Sequence, residues 1–201
     1  GTIIDGAIHP GWTLDFLRNE PITFSNVVGH DTDDGSSAVS LAAHVNSQFD
    51  AALSWDDVEW LASIWDKPIV LKGVQSVADA KIAADLGVTG VALSNHGGRQ
   101  LDSAPSPIDL VAPVAQAVGG QTEIYCDGGI RRGSDIVQAV ALGATACMAG
   151  RPYLYGLGAA GERGVEFVLD FFEEGVRQTM ALTGATDVAG LTPELVSSRR
   201  R

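Results

Sequence analysis

Short apolar segments alternate with amphipathic segments from residue 54 almost to the end of the chain. The apolar segments lie at residues 69–71, 90–93, 123–126 and 146–149. Apolar runs of this length predict buried strands, and the longer amphipathic segments between them predict helices. Strands that alternate with helices through short connections are typical of a parallel sheet with helical crossovers. The sequence therefore predicts an α/β protein with four parallel βα units.

Capping signals mark where the predicted helices begin and end. Ser54, followed three residues later by Asp57, is the pattern of a capping box. Ser76 is placed to cap a second helix, and Gly87 to end it in a left-handed conformation. The first helix is predicted to carry Val58, Leu61, Ala62 and Trp65 on one face. The other predicted helices cover residues 77–86, 107–118, 134–142 and 164–182, with a short amphipathic segment at 13–18.

Every predicted strand ends in polar or charged residues beside glycine, at residues 72–73, 94–99, 127–129 and 150–151. In a (β/α)8 barrel the carboxyl ends of all strands meet on the face that carries the active site. A doubly wound open sheet gathers its ligand at one switch point instead. Four equivalent strand ends favour the barrel, of which four strands make half. The other half is expected either before Gly1 or from a second copy of the chain.

Charge and composition exclude several classes of protein. The formal net charge is −12 over 201 residues, which argues against nucleic acid as the main partner because phosphate backbones require a basic surface. The two cysteines, Cys126 and Cys147, lie inside apolar segments and are predicted to be core residues in a reducing compartment. No segment reaches the roughly 20 apolar residues of a membrane span, and neither a signal peptide nor a metal-binding motif is recognisable.

The segment 94–102 carries the densest group of reactive residues. His96 precedes Arg99 by three residues, and Gly97 and Gly98 between them allow backbone to approach a ligand closely. Ser94 opens the segment at the end of an apolar strand. A titratable imidazole beside a fixed cation at a strand end predicts a catalytic base with an anion clamp. The alternative is a polar turn with two solvated side chains.

A phosphate site is predicted at the ends of the last two strands. Gly128 and Gly129 lead to Arg131, and Gly150 is followed directly by Arg151. Backbone amides at glycines and at a helix start donate hydrogen bonds to phosphate, and arginine adds a bidentate partner. The alternative is turn glycines with surface arginines. The residues do not decide whether such a phosphate belongs to a substrate or to a cofactor.

Lys72 and Asp127 complete the set of strand-end residues. Lys72 is placed to be either a Schiff-base nucleophile or a fixed cation beside an electron sink. Asp127, at the end of another strand, is predicted to reach His96 and to hold its imidazole in the tautomer of a general base. Arg99 is predicted to hold a substrate carboxylate.

These segments together resemble the FMN-dependent α-hydroxy acid dehydrogenase/oxidase family. The resemblance is carried by residues 71–74, 94–102, 127–135 and 141–152, in that order. The sequence of these segments is most similar to the flavin-type L-lactate dehydrogenases of bacteria. It implies that the chain is the C-terminal half of a (β/α)8 TIM barrel with a long N-terminal loop region and a C-terminal helix. Residues 1–53 would form the active-site loop region and residues 54–201 the half-barrel.

The resemblance also implies FMN as the cofactor and a role for each candidate residue. His96 would be the catalytic base with Asp127 as its partner, and Arg99 would bind the substrate carboxylate. Lys72 would stabilise the reduced flavin. The further cofactor contacts would be Ser94, Gly97, Gly98, Asp127, Gly128, Gly129, Arg131, Gly150 and Arg151.

The implied reaction is oxidation of an L-2-hydroxy acid, with L-lactate as the expected substrate, to the 2-oxo acid. Quinone or oxygen would accept the electrons. The alternatives are an oxidase, a monooxygenase or a peptide-modifying member of the family, a Schiff-base phosphosugar lyase or isomerase, and a non-catalytic half-barrel. A homo-oligomer is expected, located in the cytoplasm or peripherally at the inner face of the membrane, together with a preceding N-terminal half-barrel.

Overall fold

The computed structural model describes residues 6–18, 47 and 49–197. The chain divides into two compact units, Gly1–Asp57 and Val58–Arg201. In the first unit, helix α1 covers Pro10–Arg18, so it begins three residues before the predicted amphipathic segment. Most of the predicted loop region 1–53 lies outside the described residues.

Four parallel strands form one sheet in the second unit. Their bounds are Val70–Val74 for β1, Gly90–Ser94 for β2, Glu123–Asp127 for β3 and Ala146–Met148 for β4. They lie in the order β1-β2-β3-β4, so each crossover leads to the next neighbour and the described strands contain no reversal of order. A switch point requires such a reversal. The prediction of a half-barrel of four βα units is confirmed.

Six helices accompany the sheet, five of them close to their predicted positions. Helix α6 has no counterpart among the predicted helices, and it contains Pro152, Gly156 and Gly158, residue types with low helix propensity. Proline is compatible with the first turn of a helix, where its missing N–H has no partner to lose. The helices are α2 (Trp55–Ile64), α3 (Val77–Asp85), α4 (Pro107–Val118), α5 (Gly133–Ala141), α6 (Arg151–Ala160) and α7 (Glu162–Thr183).

The core is built around β2, whose five residues are all buried. Val91 and Leu93 are fully buried, as expected for a central strand of a parallel sheet covered on both faces. Cys126 of β3 is buried and free, and Cys147 is free and partly buried. Burial raises the pKa of the Cys126 thiol to about 11, which keeps it protonated at neutral pH. Both cysteines thus behave as packing residues.

The predicted apolar face of α2 is not buried. The helix has no buried residue, and Leu61 and Trp65 are 39% and 49% exposed. The helix predicted here is present, but none of Val58, Leu61, Ala62 and Trp65 is buried in the described part of the chain. Hydrophobic periodicity identifies the side of a helix that favours burial, but it does not say which surface covers it.

Helices α6 and α7 cross at two glycines whose backbones touch. A Cβ built on Gly164 would lie 1.9 Å from the carbonyl oxygen of Gly156, and one on Gly156 would lie 2.4 Å from that of Gly164. Any side chain at either position forces the helices apart. Glycine, which lowers the helix propensity of α6, is therefore also the residue that allows α6 to pack closely against α7.

Replacing Gly164 with alanine is expected to lower the free energy of unfolding by about 1–3 kcal/mol, because the new methyl group overpacks the crossing. The control is Gly158→Ala in the same helix pair, where a Cβ meets open space. That change is expected to raise the stability by up to about 1 kcal/mol through helix propensity. Urea unfolding measures both. Equal effects of the two substitutions would contradict the close crossing.

Candidate active site

Three neighbouring strands bring one charged cluster together at their carboxyl ends. Lys72 Nζ of β1 lies 2.6 Å from Asp127 Oδ2 of β3. Ser94 of β2 donates a hydrogen bond from its hydroxyl to the same carboxylate oxygen at 2.6 Å and accepts one from Lys72 Nζ at 3.3 Å. Ser94 and Asp127 are paired in the β2–β3 register, which explains why their side chains meet. We call Lys72, Ser94 and Asp127 the strand-end cluster.

The cluster keeps the carboxyl of Asp127 ionised. Burial of this group acts to raise its pKa, but hydrogen bonds from Lys72 and Ser94 act in the opposite direction, helped by the charges of Lys72 and His96. The net result is a pKa of Asp127 below its ordinary value. An opposite charge and donated hydrogen bonds both favour the charged form of a carboxyl group. Asp127 therefore carries a negative charge at neutral pH.

A tight turn at the end of β2 presents His96. The backbone N–H of His96 donates to Ser94 Oγ at 3.1 Å, and the backbone N–H of Gly97 donates to Asn95 Oδ1 at 3.1 Å. Gly98 N–H donates to the Asn95 carbonyl at 3.0 Å. His96 has φ 55°, and it is the one non-glycine residue with positive φ in the described ranges. A left-handed conformation costs a residue with a side chain about 1–2 kcal/mol, so the surrounding hydrogen bonds must hold the turn.

Gly73 leaves room for the ring of His96. A Cβ on Gly73 would lie 2.9 Å from His96 Cε1, and the φ of Gly73 is +98°. The imidazole therefore rests against the backbone of β1, one residue beyond Lys72. Among the described residues, the hydrogen bonds of the Asp127 side chain go to Lys72 and Ser94 and not to the imidazole. The role of Asp127 as the partner of His96 stays a prediction.

The phosphate site predicted from the sequence falls at the ends of β3 and β4, and we call its residues, Gly128, Gly129, Arg131, Gly150 and Arg151, the phosphate end. Gly129 has φ 79°, and no atom would lie within 4 Å of a Cβ there or at Gly150. Helix α6 starts at Arg151 without a side-chain cap. At helix α5, Asp135 accepts hydrogen bonds at 2.9 Å from the backbone N–H groups of Arg131 and Arg132, just ahead of the helix. The start of α6 has no such carboxylate among the described residues, and helix N-termini favour anions.

Two arginines flank this phosphate end, and neither forms an ion pair within the described part of the chain. Arg131 follows the β3 glycines, and Arg151 begins α6. One guanidinium nitrogen of Arg151 donates to the Gly97 carbonyl at 3.1 Å. Arg151 therefore connects the end of β4 to residues 95–98, which we call the His96 turn. Arg99 is exposed just after that turn.

The family model for FMN-dependent dehydrogenase matches residues 1–198. The chain belongs to this family. The predicted family and its cofactor, FMN, are thereby confirmed.

Relatives and solved structures agree with this assignment. The chain is 44% identical over its whole length to a putative L-lactate dehydrogenase of Mycobacterium tuberculosis, of which it covers 47%. It is 41% identical to (S)-mandelate dehydrogenase of Pseudomonas putida, with 98% of this chain and 50% of the relative aligned. A crystal structure of a monotopic membrane protein, (S)-mandelate dehydrogenase, matches 97% of this chain and 51% of its own with a TM-score of 0.87. The chain thus spans about half the length of these relatives.

The sequence does not predict two contacts at the site of this member of the FMN-dependent dehydrogenase family. Asn95 caps the His96 turn with its side chain, which also donates to the Pro105 carbonyl at 3.3 Å. Asparagine before a glycine-rich turn is a recognisable signal for such a cap. The contact between Arg151 and Gly97 has no comparable signal, because the two residues are 54 positions apart.

The lowered pKa of Asp127 predicts a pH dependence of stability. The unfolded value for aspartate is about 3.9, so a lower folded value adds stability that is complete above about pH 5 and is lost as the pH falls through the folded pKa. In Asp127→Asn, the free energy of unfolding should therefore fall less steeply between about pH 5 and pH 2. Urea unfolding at a series of pH values measures this slope. Asp102→Asn, at an exposed carboxylate outside the strand-end cluster, should keep the wild-type slope, and a wild-type slope in Asp127→Asn would contradict the assignment.

Proposed function

We propose that the protein oxidises a small L-2-hydroxy acid to the 2-oxo acid with bound FMN. The observation that carries the proposal is the grouping of an imidazole, an ionised carboxylate–lysine pair and a phosphate-binding end at the carboxyl ends of parallel strands. Membership of the FMN-dependent dehydrogenase family supports the same reaction class. We propose L-lactate as the preferred substrate, because one relative is named a putative L-lactate dehydrogenase.

The phosphate end fits the phosphate of FMN. Open space at Gly129 and Gly150 lets backbone amides come close to an anion, and the N-terminus of α6 favours negative charge. Arg131 and Arg151 would supply bidentate donors, with Gly128 shaping the β3 turn. This donor set is uncharged or positive throughout, as a phosphate requires. We therefore assign these five residues to the phosphate of the cofactor.

Lys72 is proposed to act as a fixed positive charge. Its ammonium group is held by Asp127 and Ser94 at 2.6 Å and 3.3 Å. Bound FMN supplies the acceptor for two electrons, and a cation beside it stabilises the negative charge that results. The Schiff-base alternative requires a free neutral amine, and a lysine with two hydrogen-bond acceptors fits that role poorly. Ser94, Gly97 and Gly98 are proposed to lie near the same end of the cofactor.

His96 is proposed to accept the proton of the substrate hydroxyl group. Its ring lies beside Gly73 and near the ionised Asp127, whose negative charge stabilises the imidazolium that forms. Arg99 would bind the substrate carboxylate through its planar guanidinium group. With the carboxylate held, the hydroxyl is oriented toward His96. Quinone or oxygen is proposed as the final electron acceptor, and a homo-oligomer as the working form.

His96→Gln tests this mechanism in the full-length protein. The variant should bind FMN as the wild type does, but substrate should reduce the flavin about 10²–10⁴-fold more slowly, the usual contribution of a general base. Anaerobic bleaching of the flavin absorbance measures the rate, with L-lactate, glycolate and (S)-mandelate compared in the wild type. A near-normal rate in His96→Gln would refute the assignment. Borohydride trapping of a Lys72 adduct would favour the Schiff-base alternative.

We also propose a peripheral contact with a membrane through α1. No helix among the described residues has the length and apolar character needed to cross a bilayer. Helix α1 nevertheless exposes apolar side chains, and the rings of Trp12 and Phe16 stack 5.3 Å apart on one side of it. Its exposed apolar residues, between 50% and 71% accessible, are Trp12, Leu14, Phe16 and Leu17. An apolar helix with tryptophan is suited to the boundary between lipid headgroups and acyl chains, and one solved relative is described as monotopic.

The double substitution Trp12→Ser and Phe16→Ser should reduce co-sedimentation of the full-length protein with phosphatidylcholine vesicles. The loss follows from the apolar area that no longer enters the interface. The matched control is Trp60→Ser on α2, where the tryptophan is also exposed. Equal binding by the wild type and the α1 variant would contradict a contact through α1.

A further inference from the structure

We propose that Arg151 is a positioning residue that makes the conformation of the His96 turn depend on whether the phosphate end is occupied. The inference rests on the proposed function, since it takes the phosphate of FMN as the ligand of that end. It adds a link between two parts of the site that the proposed mechanism treats separately.

The His96 turn needs restraint from outside itself. His96, Gly97 and Gly98 have φ values of 55°, 69° and 73°, so three consecutive residues are left-handed. Conformations of this kind persist only where the surroundings enforce them. Two of the hydrogen bonds that hold the turn lie within it, because the N–H groups of Gly97 and Gly98 donate to the side chain and the carbonyl of Asn95. Within the described residues, hydrogen bonds from the rest of the chain reach the turn at three points: the Ser94 hydroxyl at His96, the Pro105 carbonyl at the side chain of Asn95, and Arg151 at Gly97.

Arg151 covers Gly97 closely. Its guanidinium donates to the Gly97 carbonyl at 3.1 Å, and a Cβ on Gly97 would lie 2.9 Å from the same nitrogen. The contact thus includes the face of the glycine as well as its carbonyl oxygen. A residue larger than glycine at this position would push the guanidinium away.

One guanidinium can hold both the turn and an anion. It carries five N–H donors in a fixed plane. Within the described residues, the side chain of Arg151 donates one hydrogen bond, to the Gly97 carbonyl. The remaining donors are available to a phosphate bound at the N-terminus of α6, where Arg151 is the first residue. Lysine has a single ammonium group on a flexible stem and does not share this fork geometry.

The direction of the coupling follows from the exposure of Arg151. Without an anion, an exposed side chain is held at its tip by a single hydrogen bond. A bound phosphate accepts hydrogen bonds from the remaining N–H groups and restricts the motion of the guanidinium. The hydrogen bond to the Gly97 carbonyl then breaks less often. The turn then opens less often. A ligand that has the flavin ring but no phosphate lacks this effect.

Hydrogen exchange of the full-length protein tests the coupling with FMN and riboflavin as the two probes. The amides of His96, Gly97 and Gly98 are all hydrogen-bonded within the site, so their exchange reports opening of the turn. In the wild type, saturating FMN should slow exchange in a peptide covering residues 94–102 by about 3- to 10-fold more than saturating riboflavin, the range expected of one added hydrogen bond.

Two conservative variants separate coupling from phosphate binding. Arg151→Lys and Arg131→Lys each keep the positive charge and remove a guanidinium from the phosphate end, so both should weaken FMN binding, as measured by flavin fluorescence. At saturating ligand, Arg131→Lys should keep the difference between FMN and riboflavin in the 94–102 peptide. Arg151→Lys should lose it.

The outcomes separate failure of the inference from failure of the proposed function. If FMN binds and is reduced by substrate but protects residues 94–102 no more than riboflavin does, the coupling is refuted and the proposed function stands. The coupling is also refuted if Arg151→Lys keeps the wild-type difference. If FMN does not bind to the wild type, both proposals fail.

Discussion

The hydrogen bonds that join Lys72, Ser94 and Asp127 are the interaction on which the site depends. A carboxylate that is partly removed from water is costly unless it is paired, and here one oxygen of Asp127 receives both an ammonium and a hydroxyl hydrogen bond. The same hydroxyl accepts from the backbone of His96. One buried serine therefore connects the charge pair to the turn that presents the imidazole, and the ends of three strands are held as a unit.

The rigidity of β2 makes this arrangement possible. Its residues are buried, and the parallel pairing with β3 continues to Ser94 and Asp127 at its very end. The left-handed turn begins only one residue later. A strained turn on a mobile strand would relax to another conformation. A turn attached to a central strand is held in place because the close-packed core restricts the movement of that strand. The site thus sits at the point where the most buried element gives way to exposed backbone.

The sequence predicted the four strands and their polar ends because each repeats one local pattern of an apolar run followed by glycine and a charge. Helix caps were equally local, and Ser76 does accept from the backbone of Asp79 at 3.0 Å. The hydrogen-bond partner of Asp127 could not be predicted from a local pattern. Alternation placed Lys72, His96 and Asp127 at one edge, but the choice between lysine and imidazole depends on register and on the left-handed turn. The exposed face of α2 and the unexpected α6 show the same limit, since tertiary contacts decide both.

The acidic character of the chain does not conflict with an anionic substrate and cofactor. A net charge of −12 acts at long range, where salt screens it within about 8 Å at physiological ionic strength. Within the site, distances are shorter, and the charges that matter there are positive. Arg99, Arg131 and Arg151 lie at the strand ends without an acidic partner in the described ranges, while the acidic Asp127 is paired with Lys72. Because Asp127 is paired with Lys72, the unpaired charges at the strand ends are, among the described residues, those of the arginines, and such a local field favours the anionic ligands that we propose although the net charge is negative.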